Sequence, residues 1–269
     1  MADPVRIAVI DSGVQPDHPH ILTQNLDLGF AVSRDGTIAL GTQFTQDRLG
    51  HGTAVMAAIQ QWAPLARCTP VRVFDEALRA SPRALVTAIG HCADAGFDLI
   101  NLSLGTTNPA HREVFAVAAQ AAREAGVVLI AASDIDGTPC FPGALPDVLG
   151  VGLDWDCPRE TCLAGGGPGG PFLRTSGHPR PIEGVPQRRN LHGISFAVAN
   201  VAGFAARALC DARDLPKGPM RLDGLRERLG AGNGENRVLS ACGEGSGADG
   251  VNDVCRSRRG LRASAAYVK

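Results

Sequence analysis

Three short segments of the chain carry side chains that could act together as acid, base and nucleophile. Asp11 ends an apolar run and is followed by Ser-Gly, which is typical of a buried strand that ends in a turn. His51 opens a helical apolar pattern, and Ser195 stands near the start of a helical run of small and apolar residues. An imidazole can take the proton of a serine hydroxyl, and a carboxylate can orient the imidazole and stabilise its cation. These residues therefore predict acyl transfer, with Asp11, His51 and Ser195 as the catalytic residues.

Each segment by itself has a simpler explanation. An aspartate at a strand end often only forms a turn, and a serine at a helix start more often caps the helix than attacks a substrate. The combination favours catalysis, because all three residues stand at the ends of predicted elements. Side chains at such ends can converge above a parallel sheet.

The elements that must position these residues alternate between short apolar strands and helices of about 10–15 residues. This alternation predicts an α/β fold with a mostly parallel sheet in one domain, 1–242, followed by a C-terminal tail or peripheral appendage, 243–269. The glycine-rich segment 164–171 is expected to be a flexible loop. Strands are predicted at 5–10, 71–74, 98–104, 127–132 and 148–153, and helices at 52–62, 82–95, 109–125, 194–210 and 222–229.

The order Asp, His, Ser, with spacings of 40 and 144 residues, resembles the subtilase family of serine proteases. Asp11-Ser12-Gly13 is similar to the family's D-[ST]-G, His51-Gly52-Thr53 to its H-G-T-x-V, and Gly193-Ile194-Ser195 to its G-T-S-[MF]-A. The resemblance implies a subtilisin-like three-layer fold, with a mostly parallel central sheet flanked by helices, and serine endopeptidase activity.

The segment 101–105, Asn-Leu-Ser-Leu-Gly, also resembles the family's substrate-binding strand. The resemblance implies that a peptide or protein substrate lies between two segments and pairs with their backbones as an added strand. The residues expected to flank the substrate are Ser103, Leu104, Gly105, Ala131, Ala132 and Ser133.

The oxyanion side departs from the family pattern. Where the family carries A-A-G-N and its Asn amide donates to the oxyanion, this chain has Ser133-Asp134. An ionised Asp134 would repel the oxyanion, whereas a protonated Asp134, favoured by desolvation or a nearby carboxylate, could donate to it. Ile194 replaces the usual Thr and removes a hydroxyl. We predict that Asp134 and Ser195 face the oxyanion; the alternative is a different loop register, with Asp134 a solvated turn residue.

Composition and charge exclude several classes of function. The net charge of −1 gives no global attraction to nucleic acid or anionic membrane, and no run approaches the ~18 apolar residues of a membrane span. No secretory signal is visible, and few residues precede Asp11, so we expect a cytoplasmic processing protease of restricted specificity without a folding propeptide. The eight cysteines are expected to be mostly buried or free thiols, with disulfides as the alternative. No metal site or cofactor is predicted.

Two other functions fit the same residues. An amine that replaces water would turn the enzyme into a peptide transferase or macrocyclase, and the changes at Asp134 and Ile194 would suit a catalytically impaired peptide-binding protein. The residue preference at the scissile bond stays open, as does the oligomeric state. An acidic pocket that favours Lys or Arg is one possibility, formed by Asp134, Asp136, Asp154 and Asp156, and His192 is a candidate substrate contact.

Overall fold

The computed structural model describes residues 3–74, 76–167, 170–212, 215–216, 218–230, 237–238 and 267–268. Its strands are β1 Arg6–Asp11, β2 Phe30–Val32, β3 Ile38–Leu40, β4 Arg67–Arg72, β5 Arg79–Ala80, β6 Leu99–Leu102, β7 Val128–Ala132, β8 Asp134–Ile135, β9 Thr138–Pro139, β10 Leu149–Leu153, β11 Thr161–Gly167, β12 Gly170–Thr175, β13 Arg237–Val238 and β14 Tyr267–Val268. Its α-helices are α1 His51–Trp62, α2 Pro82–Asp94, α3 Arg112–Glu124, α4 Ile194–Asp211 and α5 Arg221–Arg228.

Ten of these strands form one central sheet, in the order β13-β11-β12-β10-β7-β6-β1-β4-β2-β3. The pairs from β12 to β2 across its middle are parallel, and antiparallel pairs occur only towards its two edges. Both faces of a parallel sheet are covered by its crossover helices, so its strands are apolar throughout. The predicted α/β fold with a mostly parallel sheet is confirmed.

The side chains of β1 show how the sheet divides the core. Ile7 and Val9 point into the core that α1 and α4 cover, whereas Ala8 and Ile10 point into the core that α2 and α3 cover. This follows from the two-residue period of a strand. The result is a three-layer arrangement of helices, sheet and helices.

The connections leave β1 in two directions. The chain first adds β4 on one side of β1, with β2 and β3 beyond it, and later adds β6 and β7 on the other side. In open α/β sheets this change of direction opens a crevice at the carboxyl ends of the strands. Asp11 is the last residue of β1 and Ser103 follows β6, so both stand at this crevice.

Local signals predict the helix ends well. Ser81 caps α2, its Oγ accepting the N–H of Ala84 at 3.1 Å, and Pro82 occupies the first turn. Gly96 and Gly126, which follow α2 and α3, have φ of 68° and 78°, the left-handed conformation expected beyond a helix end.

The glycine-rich segment differs from its prediction. The expected flexible loop, 164–171, lies largely within the β11–β12 hairpin, and β12 pairs in parallel with β10. The reason is tertiary packing: a Cβ on Gly165 would lie 2.8 Å from Cε2 of Phe172, and a Cβ on Gly152 would lie 2.9 Å from the same atom. These glycines therefore make room for an aromatic ring on the sheet.

Two further expectations concern a membrane-spanning segment and the domain boundary at 242. By length and composition alone α4 could cross a membrane, although no such segment was expected. In the structure α4 is a core helix, with 72% of its residues buried. The predicted boundary at 242 lies outside the described residues and stays a prediction. Within the predicted tail, Tyr267–Val268 pairs in parallel with β5.

Candidate active site

The carboxylate of Asp11 and the imidazole of His51 form a buried pair at the crevice. Oδ1 of Asp11 lies 2.7 Å from Nδ1 of His51, and Asp11 is fully buried. Burial opposes a charged imidazole, but the charge and hydrogen bond of Asp11 and the charge of Asp47 outweigh it, so the pKa of His51 is raised above its ordinary value. This geometry holds the ring with its other nitrogen, Nε2, directed away from Asp11.

A second buried carboxylate, Asp47, fixes the start of the helix that carries His51. Its Oδ2 accepts the backbone N–H of Thr53 at 2.8 Å and the hydroxyl of Thr53 at 2.6 Å. Its Oδ1 accepts the N–H groups of Leu49 and Gly50, both at 2.9 Å, and the hydroxyl of Ser12 at 2.8 Å. Asp47 thus satisfies donors at the entrance of α1, as a capping side chain does.

Sequence analysis missed Asp47. The available signal was an acidic residue just before a predicted helix start. The turn of β1 packs tightly against the same helix start, since a Cβ on Gly52 would lie 2.3 Å from the carbonyl oxygen of Gly13. Only glycine at position 52 permits this contact, which brings the start of α1 against the end of β1.

Ser195 is the second residue of α4 and is 2% exposed. The chain enters the helix through Gly193, whose φ of 143° is a conformation that only glycine adopts readily. Phe196, the next residue after Ser195, packs beside His51 with ring centroids 5.6 Å apart. The structure therefore joins Asp11 of β1 to His51 of α1 and places Ser195 of α4 next to the residue that packs beside His51. That the three act as catalytic residues stays a prediction.

The hydroxyl of Ser195 does not hydrogen bond to His51 in the described part of the chain. Its Oγ donates to the carbonyl oxygen of Ser103 at 3.0 Å. The Oγ of Ser103 in turn donates to the carbonyl of Ser195 at 3.3 Å and accepts from Nδ2 of Asn101 at 2.8 Å. These contacts fix the backbone at Ser195 against the end of β6, and the Ser195 hydroxyl must leave the Ser103 carbonyl before it can donate to His51.

Asp134 lies in a short hairpin, β8–β9, and is only partly buried. Its Oδ1 accepts the N–H of Gly137 at 3.1 Å, and its Oδ2 accepts the hydroxyl of Ser133 at 3.2 Å. The turn residues Asp136 and Gly137 both have positive φ, 51° and 81°, as in a type I′ hairpin. The predicted contact of Asp134 with the oxyanion stays a prediction.

The two segments expected to flank the substrate differ in how far their backbone groups are already hydrogen-bonded. Ala131 is paired on both sides, with Leu102 of β6 and Gly150 of β10. The N–H of Ser133 donates to Val151 at 2.8 Å and its carbonyl accepts from Cys140 at 3.0 Å. The backbone groups of Ala131 and Ser133 are therefore already paired with neighbouring strands and loops. The expected place of segment 131–133 beside the substrate stays a prediction.

Segment 103–105 lies beside the Cys140–Phe141 segment. Leu104 is buried, and a Cβ on Gly105 would lie 2.5 Å from Sγ of Cys140, so this position must be glycine. Ser103 touches Ser195, and a peptide that adds a strand near the nucleophile would run beside this segment.

A cavity of about 640 Å³ opens beside Asp134. Its lining is largely apolar and includes Phe141, Leu145 and Phe172, with the cation of Arg112. Of the four aspartates proposed as an acidic pocket, only Asp134 is among the described residues that line it. The possibility of an acidic pocket that favours Lys or Arg therefore gains no support from this cavity.

The six cysteines that the structure describes are free thiols, and five of them are buried. Cys68, Cys92, Cys140, Cys157 and Cys162 are buried free thiols and Cys210 is an exposed one, as expected; Cys242 and Cys255 lie outside the described residues. Burial raises the pKa of the Cys140 thiol to about 12. In the described ranges no three His, Cys, Asp or Glu side chains converge as a metal site.

Comparisons with known proteins agree with this geometry. The model of the subtilase family, peptidase S8, matches residues 3–152, more than half of the chain. The chain is 32% identical to the minor extracellular protease Epr of Bacillus subtilis (strain 168) over 160 residues, which are 55% of this chain but only 23% of Epr. It is 25% identical to Subtilisin BL of Lederbergia lenta over 75% of each chain. The solved structure of the prenylagaramide maturation protease PagA superposes with a TM-score of 0.55 at 26% identity, over 81% of each chain. The chain belongs to the subtilase family.

Proposed function

We propose that this protein is a serine endopeptidase that cleaves peptide bonds through an acyl-enzyme. The observation that carries the proposal is the buried Asp11–His51 pair, 2.7 Å apart, with the imidazole packed beside the residue that follows Ser195. Subtilases are serine endopeptidases, which supports the same reaction.

In the proposed reaction His51 takes the proton of Ser195 as Oγ attacks the carbonyl carbon of the substrate. Asp11 keeps Nδ1 of His51 protonated and stabilises the imidazolium. His51 then gives the proton to the leaving amine, and water hydrolyses the ester by the same steps in reverse. Ser195 lies in the first turn of α4, where backbone N–H groups and the helix dipole favour the developing negative charge.

Asp134 is proposed to adjoin the oxyanion. Its carboxylate accepts hydrogen bonds from Ser133 and Gly137, and an ionised carboxylate would repel an oxyanion nearby. A protonated Asp134 would donate instead. The enzyme is therefore proposed to depend on the protonation of Asp134 for its rate.

We also propose a processing role in the cytoplasm, on one or a few peptide precursors. The similarity to a maturation protease supports a restricted substrate. The six unpaired thiols support a reducing compartment, because disulfides are rare in the cytosol. Cell fractionation with an antibody against the chain tests the compartment, and recovery in the culture medium would contradict it.

One observation favours a second candidate, a peptide-binding protein with impaired catalysis. The Ser195 hydroxyl donates its hydrogen bond to the Ser103 carbonyl rather than to His51, so the proposed nucleophile is not aligned with its base. A substrate that pairs beside Ser103 would compete for that carbonyl and could release the hydroxyl, which is why the protease remains the preferred proposal.

The experiment is labelling with a fluorophosphonate probe, followed by cleavage of a peptide library with mass-spectrometric readout. The proposal expects labelling and cleavage, both lost in Ser195→Ala, while Ser133→Ala keeps both. Products heavier by one water indicate hydrolysis, and cyclic products without added water indicate transfer to an amine. Absence of labelling in a folded protein that still retains peptides would favour the binding protein.

A further inference from the structure

A second cavity, of about 420 Å³, lies at the segments that lead into α4. Its lining comes from the loop after β10, the loop after β12 and the residues before α4, and includes Trp155, Arg159, His178 and Asn190. Neither the catalytic proposal nor the sequence motifs use this cavity.

The lining contains a buried arginine whose charge lacks a counter-ion. Arg159 is 8% exposed, and its guanidinium lies over the Trp62 ring, 4.9 Å from the ring centroid. Its hydrogen bonds go to the carbonyl of His178 (3.0 Å), Oε1 of Gln61 (2.9 Å) and Oδ1 of Asn200 (3.4 Å), all neutral acceptors. No carboxylate lies within ion-pair distance in the part of the chain that the structure describes.

Arg159 nevertheless stays charged near neutral pH. Burial lowers the pKa of its guanidinium to about 10, with Arg180 adding to the effect and Glu160 opposing it. A buried cation is costly unless an anion compensates it. Glu160 also lines the cavity, but it is exposed, so solvent screens its field.

Two imidazoles and an indole stand at the same place. Trp155, His178 and His192 form a ring cluster, with centroids 5.3 Å apart for Trp155–His178, 5.9 Å for Trp155–His192 and 6.5 Å for His178–His192. Nδ1 of His178 is buried and has no hydrogen-bond partner among the described residues. Nδ1 of His192 faces the carbonyl of Asn190 at 3.2 Å, so it carries the ring proton.

The cluster adjoins the start of the helix that carries Ser195. The N–H of Gly193 donates to the carbonyl of Gly177 at 2.9 Å, which joins the loop after β12 to the entrance of α4. His192 precedes Ser195 by three residues, a distance of at most about 10 Å along the chain.

We propose that this cavity is a carboxylate-binding subsite for the leaving-group side of the substrate. Arg159 supplies the charge, His178 supplies an N–H donor, and Trp155 covers the apolar part of the bound residue. The inference rests on the proposed function, since it needs an acyl-enzyme and a leaving group. The carboxylate is either an acidic side chain or the C-terminal carboxylate of a short peptide.

The test is an acyl-transfer experiment with a panel of acetyl-amino-acid p-nitrophenyl esters as acyl donors. Ser195 Oγ takes the acyl group, and the serine proton leaves with p-nitrophenol by way of His51. An added amine then attacks the acyl carbonyl, His51 takes a proton from the amine, and it gives that proton to Oγ as the ester bond breaks. A burst of p-nitrophenol shows that the acyl-enzyme forms. An absent burst overturns the proposed function and, with it, the proposed subsite.

Given a burst, three amines compete for the acyl-enzyme: Gly-Glu-amide, Gly-Gln-amide and Gly-Gln with a free carboxylate. The proposal expects one of the two carboxylate-bearing amines to be captured about tenfold or more in excess of Gly-Gln-amide. Preference for Gly-Glu-amide identifies a side-chain carboxylate, and preference for free Gly-Gln identifies a terminal one. Equal capture of all three overturns the subsite.

Two variants test whether the preference for a carboxylate-bearing amine arises from the cavity. His178→Gln and Arg159→Gln are each expected to reduce the preference at least threefold, and the matched control His18→Gln, at an exposed histidine pair, is expected to keep it. Because the ratio of two amines captured by the same acyl-enzyme does not depend on how much enzyme is folded, a less stable variant still gives an answer. A preference that survives in both cavity variants overturns the assignment.

Discussion

The base side and the proposed oxyanion side of the candidate active site differ in how firmly their side chains are held. On the side of the base, the carboxylates of Asp11 and Asp47 are buried, and between them they bind the imidazole of His51, the hydroxyls of Ser12 and Thr53 and several backbone N–H groups. On the proposed oxyanion side Asp134 lies in a hairpin with a two-residue turn, partly exposed, with two hydrogen bonds longer than 3 Å. The base side is thus held by buried polar contacts, whereas Asp134 is held by fewer and more exposed ones.

The largest effect is expected for Ser195→Ala, which tests whether Ser195 is the nucleophile that His51 activates. Ser195→Ala should lower kcat by about 10⁴-fold or more, because the nucleophile is lost while binding remains. His51→Ala in addition should change little further, since the two residues act as a unit. The measurement is single-turnover cleavage of a library-selected peptide, and unreduced activity in Ser195→Ala would contradict the assignment.

Asp134→Asn tests the oxyanion side. Asn keeps an acceptor for the N–H of Gly137 and replaces a repelling carboxylate oxygen with an amide donor, so kcat at neutral and alkaline pH should rise by about 10–10²-fold. The matched control is Asp136→Asn, two residues away in the same turn, where Asn tolerates the φ of 51°. A rate and pH profile unchanged by Asp134→Asn would remove Asp134 from the oxyanion.

Asp47→Asn tests the electrostatics behind the base. The charge of Asp47 helps to raise the pKa of His51, so its loss should lower that pKa. His51 acts as a base when neutral; the acid limb of kcat/KM should therefore move to lower pH. The Asn amide has a single acceptor oxygen, so it cannot accept from Thr53 and also from the N–H groups of Leu49 and Gly50, and the free energy of unfolding should fall by about 1–3 kcal/mol.

The control for Asp47 is Asp211→Asn, which removes an exposed pair with Arg207 at the far end of α4. Its effect on stability should stay within about 0.5 kcal/mol and the pH profile should not move. Equal shifts in the two variants would mean that Asp47 acts through stability alone, and a purely structural role would leave the acid limb in place.

The smallest effect is expected for Ser133→Ala. The lost hydroxyl donates to Asp134 at 3.2 Å in a partly exposed position, so stability should fall by less than about 1 kcal/mol and kcat should change only a few-fold. A larger effect, measured by urea unfolding and steady-state kinetics, would show that the oxyanion side is held more firmly than its geometry indicates.

The difference between the two sides also explains which features could be predicted from the sequence. Residues at the ends of β1, α1 and α4 were found because strand and helix ends carry local signals, such as an apolar run followed by Ser-Gly. Asp47 was missed because its donors at Ser12 and Thr53 come together only when the turn after β1 packs against α1. The hairpin at 161–175 was missed because glycines that read as a loop serve to accommodate Phe172.

The sequence by itself determined the α/β alternation, the subtilase motifs and the three candidate catalytic residues, because these depend on local periodicity and on residue types at element ends. Only the tertiary structure decided that β7 is paired along both edges and that the Ser195 hydroxyl donates a hydrogen bond to the Ser103 carbonyl. It also decided that Arg159 is buried among neutral hydrogen-bond acceptors. The physical reason is that strand neighbours, hydroxyl partners and uncompensated charges are properties of residues distant in the chain, and only packing brings those residues into contact.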